Sequence, residues 1–423
     1  MLSLIPWLIG AALLSATILN VLSRTALAKH FADMPGHRKV HQRAVPRLGG
    51  IGIVLSFLVL VAAAQLFGFW HLPPRFLLAV VFTSLFVLVA GALDDVLSLG
   101  YRSKFLLQFL LAGIVICAFG FYFDRLSLFG LEFSLGGFGM VVSIFWMVGL
   151  MNAVNLIDGI DGLAGGVALA GFAGVAALAY SAGITGTLVV CALLAGAVVG
   201  FLFYNFQDRR KIFLGDTGSQ FLGAMLALLT INIQDTPGVG RNVLIPLLLV
   251  GYPLLDVSVA MVRRFLWVRN RELGQRILRM FLADSDHMHH RLLHAGLSHV
   301  QATALLVSLA SGFTAAAVLL SRVDWRGEMA VTAYLILAVG FLLNRLRFLP
   351  AHKVRRALRV WFLGEGRAEG DRLGVRYARY YEIVATAESA VNPGARGAIA
   401  VPGGLAPNGV RDDVAPAPAA RVP

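Results

Sequence analysis

Three clusters of carboxylates and amides stand out in a chain that is otherwise mostly apolar. Asp94 and Asp95 close one apolar run, with Arg102 and Lys104 just beyond. Adjacent carboxylates repel and are costly beside hydrocarbon; a cation relieves both costs, and a solvated acidic helix end is the plainer alternative. Further on, Asn152, Asn155, Asp158 and Asp161 recur at every third position. That spacing keeps successive side chains close on a helix, drifting about 60° per step. Gly159 and Gly162 are expected to loosen the helix there and offer backbone groups to a ligand. Amides and carboxylates together suit a base or sugar, or a hard cation that takes oxygen ligands. The third cluster is Gly215-Asp216-Thr217-Gly218-Ser219, which follows Arg209, Arg210, Lys211 and Phe213 and opens the next apolar run. N–H groups at a helix start favour anions. Asp216 can anchor Mg²⁺, which takes one or two carboxylates and completes its shell with substrate phosphates and water.

Two further stretches are basic or imidazole-rich. Asp33-Met-Pro-Gly-His37-Arg38-Lys39-Val-His41 leads into Pro46-Arg47-Leu48-Gly49-Gly50. Membrane anchoring explains the Arg and Lys but neither the histidines nor the double glycine, which permits close backbone approach. Asp284-Ser285-Asp286-His287-Met288-His289-His290-Arg291 raises zinc, yet no cysteine stands near to complete such a site, and imidazoles placed against phosphate oxygens are the competing reading. Asp256, buried in an apolar run after Pro253, is expected to pair with Arg263 or Arg264 in a structural role.

The elements that must carry these residues are membrane spans. The 423 residues are 58% hydrophobic and only 14% charged, whereas soluble domains run near half apolar and a quarter charged. A hydrocarbon core takes roughly 20 apolar residues as helix, and about eleven runs qualify. They are 3–28, 50–69, 76–93, 104–123, 137–154, 163–181, 185–206, 219–233, 242–264, 300–320 and 329–348. Residues 1–28 lack a basic start and a cleavage site and read as a retained first span. Cys117 and Cys191 lie inside apolar runs and support packing, not a disulfide framework.

Most of the +13 formal charge has an address. The loops at 29–49, 94–103, 155–162, 207–218 and 265–299 hold most of the loop Lys and Arg, while the alternate loops hold only Arg75, Arg125, Arg241, Arg322 and Arg326. Lys/Arg excess marks the cytoplasmic side, which puts the N-terminus outside and every cluster above at the cytoplasmic face. A transporter should instead carry polar groups near the midplane, reached from both sides. The expected organisation is all-α, a domain of about 10–11 transmembrane helices over 1–348, and a cytoplasmic tail over 349–423. Within the tail, 351–363 reads as a basic amphipathic helix and the Ala/Pro/Gly-rich part from about 390 as disordered.

Taken in order, these motifs resemble the polyprenyl-phosphate N-acetylhexosamine-1-phosphate transferases. Arg38-Lys39-x-His41 with Pro46-Arg47-x-Gly49-Gly50, Asp94-Asp95, Asn152 to Gly162, Phe213 to Ser219 and His287 to His290 fall at compatible spacing across roughly 30–300. The His-x-His-His form with Pro-Arg-x-Gly-Gly looks like the UDP-GlcNAc branch. Ser285 after Asp284, a long 265–283 segment and Gln207-Asp208-Arg209-Arg210 depart from the usual pattern. The resemblance implies transfer of GlcNAc-1-phosphate from UDP-GlcNAc to a polyprenyl phosphate such as undecaprenyl phosphate, releasing UMP and starting a cell-envelope polysaccharide. Another UDP-N-acetylhexosamine, a fucosamine or muramyl-peptide derivative, is the alternative donor. It implies Mg²⁺, with Mn²⁺ as an alternative, on Asp216 with Asn155 as a further ligand. Catalysis falls to Asp94, Asp95 and Asp216, and the uracil pocket to Gly159, Ile160, Asp161 and Phe213. Arg47, Lys104, Asn152, Asp158, His287, His289 and His290 complete the substrate contacts. The setting it implies is the bacterial inner membrane. Membrane lipid is a further partner, nucleic acid is not, and a homodimer stays open.

Two anionic phosphates must meet, so charge neutralisation should dominate catalysis. A phosphate monoester has a second pKa of about 6, so the lipid phosphate is mostly deprotonated at neutral pH. A general base then adds little. Asp94 remains open as base, cation ligand or covalent nucleophile, with direct displacement assisted by Asp94 preferred.

Overall fold

A computed structural model describes residues 4–33, 44–234, 239, 241–266, 274 and 287–345. The motif at His37 to His41, the acidic residues Asp284 and Asp286, the boundary at 348/349 and both readings of the tail lie outside the described residues.

The chain is a bundle of long helices: α1 (Ile5–Leu22), a short α2 (Leu27–His30), α3 (Gly49–Leu66), α4 (Pro74–Leu97), α5 (Tyr101–Gly113), α6 (Gly137–Ile157), α7 (Leu163–Ser181), α8 (Thr185–Asn205), α9 (Gly215–Gln234), α10 (Leu244–Leu249), α11 (Gly251–Leu266), α12 (Met288–His294), α13 (His299–Leu320) and α14 (Trp325–Arg345). Among the described residues, nine helices are long and apolar enough to cross a membrane: α1, α3 to α8, α13 and α14, with α5 extended to Ala118 by a π-helical turn over Ile114–Ala118. The all-α polytopic reading holds, and the chain is a multi-pass membrane protein.

Two of the eleven expected spans take a different form. The run at 219–233 begins four residues earlier, and its polar opening makes α9 too mixed to read as a lipid-facing span. It is instead the central helix: all of it except Gly215, Asp216 and Asn232 is buried, packed among α3, α4, α6 and α7. Inside the bundle its polar side chains, such as Gln220 and Gln234, find protein partners in place of lipid. The run at 242–264 is broken at Val250 into α10 and α11. Two small hairpins are also additions to an all-helical expectation. β1 (Ala32–Asp33) pairs with β2 (Val45–Pro46), and β3 (Arg125–Leu128) pairs with β4 (Leu131–Ser134) at the opposite end of the bundle.

Glycine sets the helix spacing where backbones meet. A Cβ at Gly196 or Gly200 of α8 would lie 2.2 Å from the Leu8 or Ala12 carbonyl oxygen of α1. Small residues four apart are how helices approach closely where lipid supplies no hydrophobic drive. At the other contact that matters here, a Cβ on Gly50 of α3 would lie 2.1 Å from the Gly218 nitrogen, and one on Gly91 of α4 would lie 2.4 Å from Thr217 Cα. The starts of α3 and α9 and the last turns of α4 are therefore locked together at one end of the bundle.

Candidate active site

The double glycine that opens α3 docks on protein backbone. Phe213 N–H donates to the Pro46 carbonyl at 2.9 Å, while Gly49 and Gly50 donate to the Phe213 and Leu214 carbonyls at 2.9 and 2.8 Å. This short pairing leads the chain into Gly215, whose φ of +78° turns it into α9. Arg47, just before the glycines, is paired with Asp33 across the first hairpin.

Asp94 and Asp95 are neighbours with different environments, because successive helical side chains point about 100° apart. Both are buried. Asp95 faces α9: its Oδ1 accepts from Asp216 N–H at 2.8 Å, and its Oδ2 accepts from Thr217 N–H at 3.0 Å and the Thr217 hydroxyl at 2.7 Å. It is an N-cap supplied by another helix, satisfying donors that α9 cannot satisfy itself. Asp94 faces α5. Its Oδ1 accepts from Leu99 N–H at 2.9 Å, and its Oδ2 takes Lys104 Nζ at 2.8 Å and Gln220 Nε2 at 3.3 Å. Ser98, at φ +49°, ends α4 and swings the chain back into α5, which brings Lys104 to this position.

Lys104 Nζ also lies 3.2 Å from Asp216 Oδ1, and Asn155 Nδ2 donates to that same oxygen at 2.7 Å and to Ser219 Oγ at 2.8 Å. Asp94, Lys104, Asn155 and Asp216 thus come from four helices to one point. Asn152 stands one turn earlier on α6, half-buried, with no side-chain hydrogen bond among the described residues.

The loop between α6 and α7 runs from Asp158 to Gly162, as the glycines foretold. Asn205, which belongs to none of the sequence motifs, ties it to the segment before Phe213: its Oδ1 accepts from Gly162 N–H at 2.6 Å and its Nδ2 donates to the Ile212 carbonyl at 3.0 Å. Asp161 pairs with Lys211 at 2.7 Å, and its carbonyl accepts from the Thr303 hydroxyl at 2.8 Å. Ile160 is buried and Phe213 half-buried. A polar residue that ends an apolar run, as Asn205 does, was the available signal.

His289 sits over Gly159, where a Cβ would come within 2.3 Å of its Nε2. Burial first, then His290, pushes the His289 imidazole down to about 4. Its ring lies parallel to that of His287 with centroids 6.1 Å apart, and 4.2 Å from that of His290. Asp256 departs from expectation: both carboxylate oxygens are taken up at α12, by His287 Nδ1 and by Met288 N–H, each at 2.7 Å.

The charge balance fits a hard divalent cation. Burial, and then the carboxylates of Asp216, Asp95 and Asp161, push the Asp158 carboxyl up to about 7, with Arg47 opposing. Among the described residues no three His, Cys, Asp or Glu side chains converge as ligands. An ion such as Mg²⁺ needs only one or two side chains, with phosphates completing its shell.

Residues 77–234, which hold most of these groups, match glycosyl transferase family 4. The chain is 31% identical over 312 residues to a Bacillus subtilis protein named a probable undecaprenyl-phosphate N-acetylglucosaminyl 1-phosphate transferase, covering 72% of this chain and 83% of that one. A Yersinia pestis protein named undecaprenyl-phosphate alpha-N-acetylglucosaminyl 1-phosphate transferase is 29% identical over 84% of this chain and 92% of its own length. A Thermotoga maritima protein of the same name is 31% identical over 66% and 78%.

Proposed function

The chain belongs to glycosyl transferase family 4, and on that premise we propose that it transfers N-acetylglucosamine 1-phosphate from UDP-N-acetylglucosamine to undecaprenyl phosphate. An oxygen of the lipid phosphate bonds to the sugar-proximal phosphorus. The phosphoanhydride bond breaks, its electron pair leaves with UMP, and the lipid carries a diphosphate-linked sugar that starts a cell-envelope polysaccharide.

The observation that carries this reading is Lys104 between Asp94 and Asp216, with Asn155 on the same Asp216 oxygen. Asp216 would hold Mg²⁺ or Mn²⁺, and Asn155 would join it by turning over its nearly isosteric amide. A divalent ion there supplies charge neutralisation on the pyrophosphate. Lys104 gives the incoming lipid phosphate a cation at the membrane edge. Asp94, fixed by three donors, assists a direct displacement; the lipid phosphate needs little help to lose its proton, since its second pKa is about 6. Asp95 acts through α9 by holding Asp216 and Thr217. Gly159, Ile160, Asp161 and Phe213 take the uracil, tied together by Asn205. Arg47, Asn152, Asp158 and the imidazoles of His287, His289 and His290 meet the sugar and phosphates.

The Lys/Arg bias of the loops supports a cytoplasmic site in the inner (plasma) membrane with the N-terminus outside.

UMP release from a panel of UDP-sugars, with purified protein, undecaprenyl phosphate and Mg²⁺, tests the reading. UDP-N-acetylglucosamine should be the best donor, chelation should stop release, and Asp216→Asn should lose about a thousandfold or more, since a metal contributes several kcal/mol. Release from another N-acetylhexosamine donor alone refutes the sugar; release from none refutes the reaction.

A further inference from the structure

Asp256 has no part in the chemistry above, yet it is a carboxylate at 2% exposure that reaches from α11 to the histidine motif. An ionised carboxylate only accepts hydrogen bonds. Its Oδ1 is occupied by Met288 N–H, so its Oδ2 fixes the neighbouring His287 nitrogen, Nδ1, as an N–H. In the neutral ring this leaves the lone pair on Nε2. That nitrogen is buried in a residue of 5% exposure and has no partner among the described residues. Leaving a buried acceptor unmatched is costly, so Nε2 is suited to take a donor from a bound ligand. His289, whose ring lies parallel to that of His287 at 6.1 Å, sits over Gly159 of the loop read as part of the nucleotide pocket, so His287 lies next to that loop's histidine neighbour.

We infer that Asp256 is a positioning residue for the donor: it pins His287 so that Nε2 accepts a hydrogen bond from a polar hydrogen of the nucleotide sugar. This rests on the proposed nucleotide-sugar reaction, and it adds a residue and a protonation pattern to it. The carboxylate–imidazole pair is the arrangement that orients histidines in other sites, where removing the carboxylate costs about ten- to a hundredfold.

Asp256→Asn is the informative change. The amide oxygen can still accept from Met288 N–H, but the amide NH₂ then faces Nδ1 and drives the proton to Nε2. Two hydrogens would then face each other at the donor. With UDP-N-acetylglucosamine and undecaprenyl phosphate in the full-length protein, KM for the nucleotide sugar should rise about tenfold or more, while KM for undecaprenyl phosphate stays within about twofold. In a His287→Ala background the same Asp256→Asn change should have no further effect on that KM, because Asp256 acts through the ring. Nitrogen-15 NMR of histidine-labelled wild-type protein should show His287 protonated on Nδ1. Additive effects in the double variant, an unchanged KM, or a wild-type ring carrying a proton on Nε2 would each overturn the inference. The NMR arm decides even if the variant does not fold. An inactive wild-type protein would instead count against the reaction itself, while the protonation pattern of His287 would still be read from its nitrogen shifts.

Discussion

Replacing Asp95 separates positioning from chemistry. In Asp95→Ala the N–H groups of Asp216 and Thr217 lose their acceptor at the partly buried start of α9, and the Thr217 hydroxyl loses one as well. A buried donor left unpaired costs about 1–3 kcal/mol, so the two backbone groups alone give about 2–6 kcal/mol, with the hydroxyl free to turn elsewhere. Asp95→Asn keeps the shape and one accepting oxygen but points an NH₂ at the other donors, and should cost about half as much. At about 2–4 °C per kcal/mol for chains of moderate size, the Asn variant should melt several degrees below wild type. Activity should follow the geometry. The released N–H belongs to Asp216 itself, and a displacement of about 1 Å at a reacting centre costs about a hundredfold. The assays are thermal unfolding in detergent and UMP release on the same samples. If Asp95→Asn abolishes UMP release while its melting midpoint equals that of wild type, Asp95 acts on the reacting groups and the capping argument fails.

Two other perturbations test the same end of the bundle. Gly91→Ala would drive a Cβ into Thr217 Cα at 2.4 Å and should cost about 1–3 kcal/mol with loss of turnover, whereas Gly149→Ala on α6, which meets nothing within 4 Å, should be neutral or slightly stabilising by melting midpoint; equal behaviour refutes the packing account. The Asp158 carboxyl is raised from 3.8 to about 7, so the folded chain prefers it protonated: its contribution to stability is present below the ordinary value and is lost as pH rises through about 7. With divalent ions chelated, the melting midpoint should fall across that window and Asp158→Asn should flatten the fall; identical slopes would count against the carboxylate cluster.

The sequence carried the fold where it was uniform and lost it where it was mixed. Continuous apolar runs such as those of α7 and α8 can only be spans, and their ends fall close to the expected positions. α9 starts four residues before the expected 219 because Gly-Asp-Thr-Gly interrupts the apolar pattern. What makes it helical is tertiary: Asp95 supplies the cap that local sequence does not. The break at Val250 and the β3–β4 hairpin likewise left no strong pattern in composition. Among site residues, those in compact polar motifs were legible. Asn205, Gln220 and Asp256 were missed or misread because each is a single polar residue in apolar sequence, and its partner lies far along the chain.

The two double motifs show most clearly what spacing cannot decide. Asp94-Asp95 reads as one acidic site, but adjacent helical side chains diverge by about 100° and cannot both meet the same ion without breaking the helix. One therefore turns to Lys104 and the other to the α9 start, and the pair does two jobs. Gly49-Gly50 reads only as a point of close backbone approach, and the backbone it admits is that of Phe213, Leu214 and Gly218. Both motifs converge on the few residues around Asp216. A bulkier residue at Gly50 and a lost cap at Asp95 should therefore fail in the same way, by moving Asp216 off Asn155 and Lys104, and their effects on turnover should be less than additive because the second change acts on a helix start already displaced.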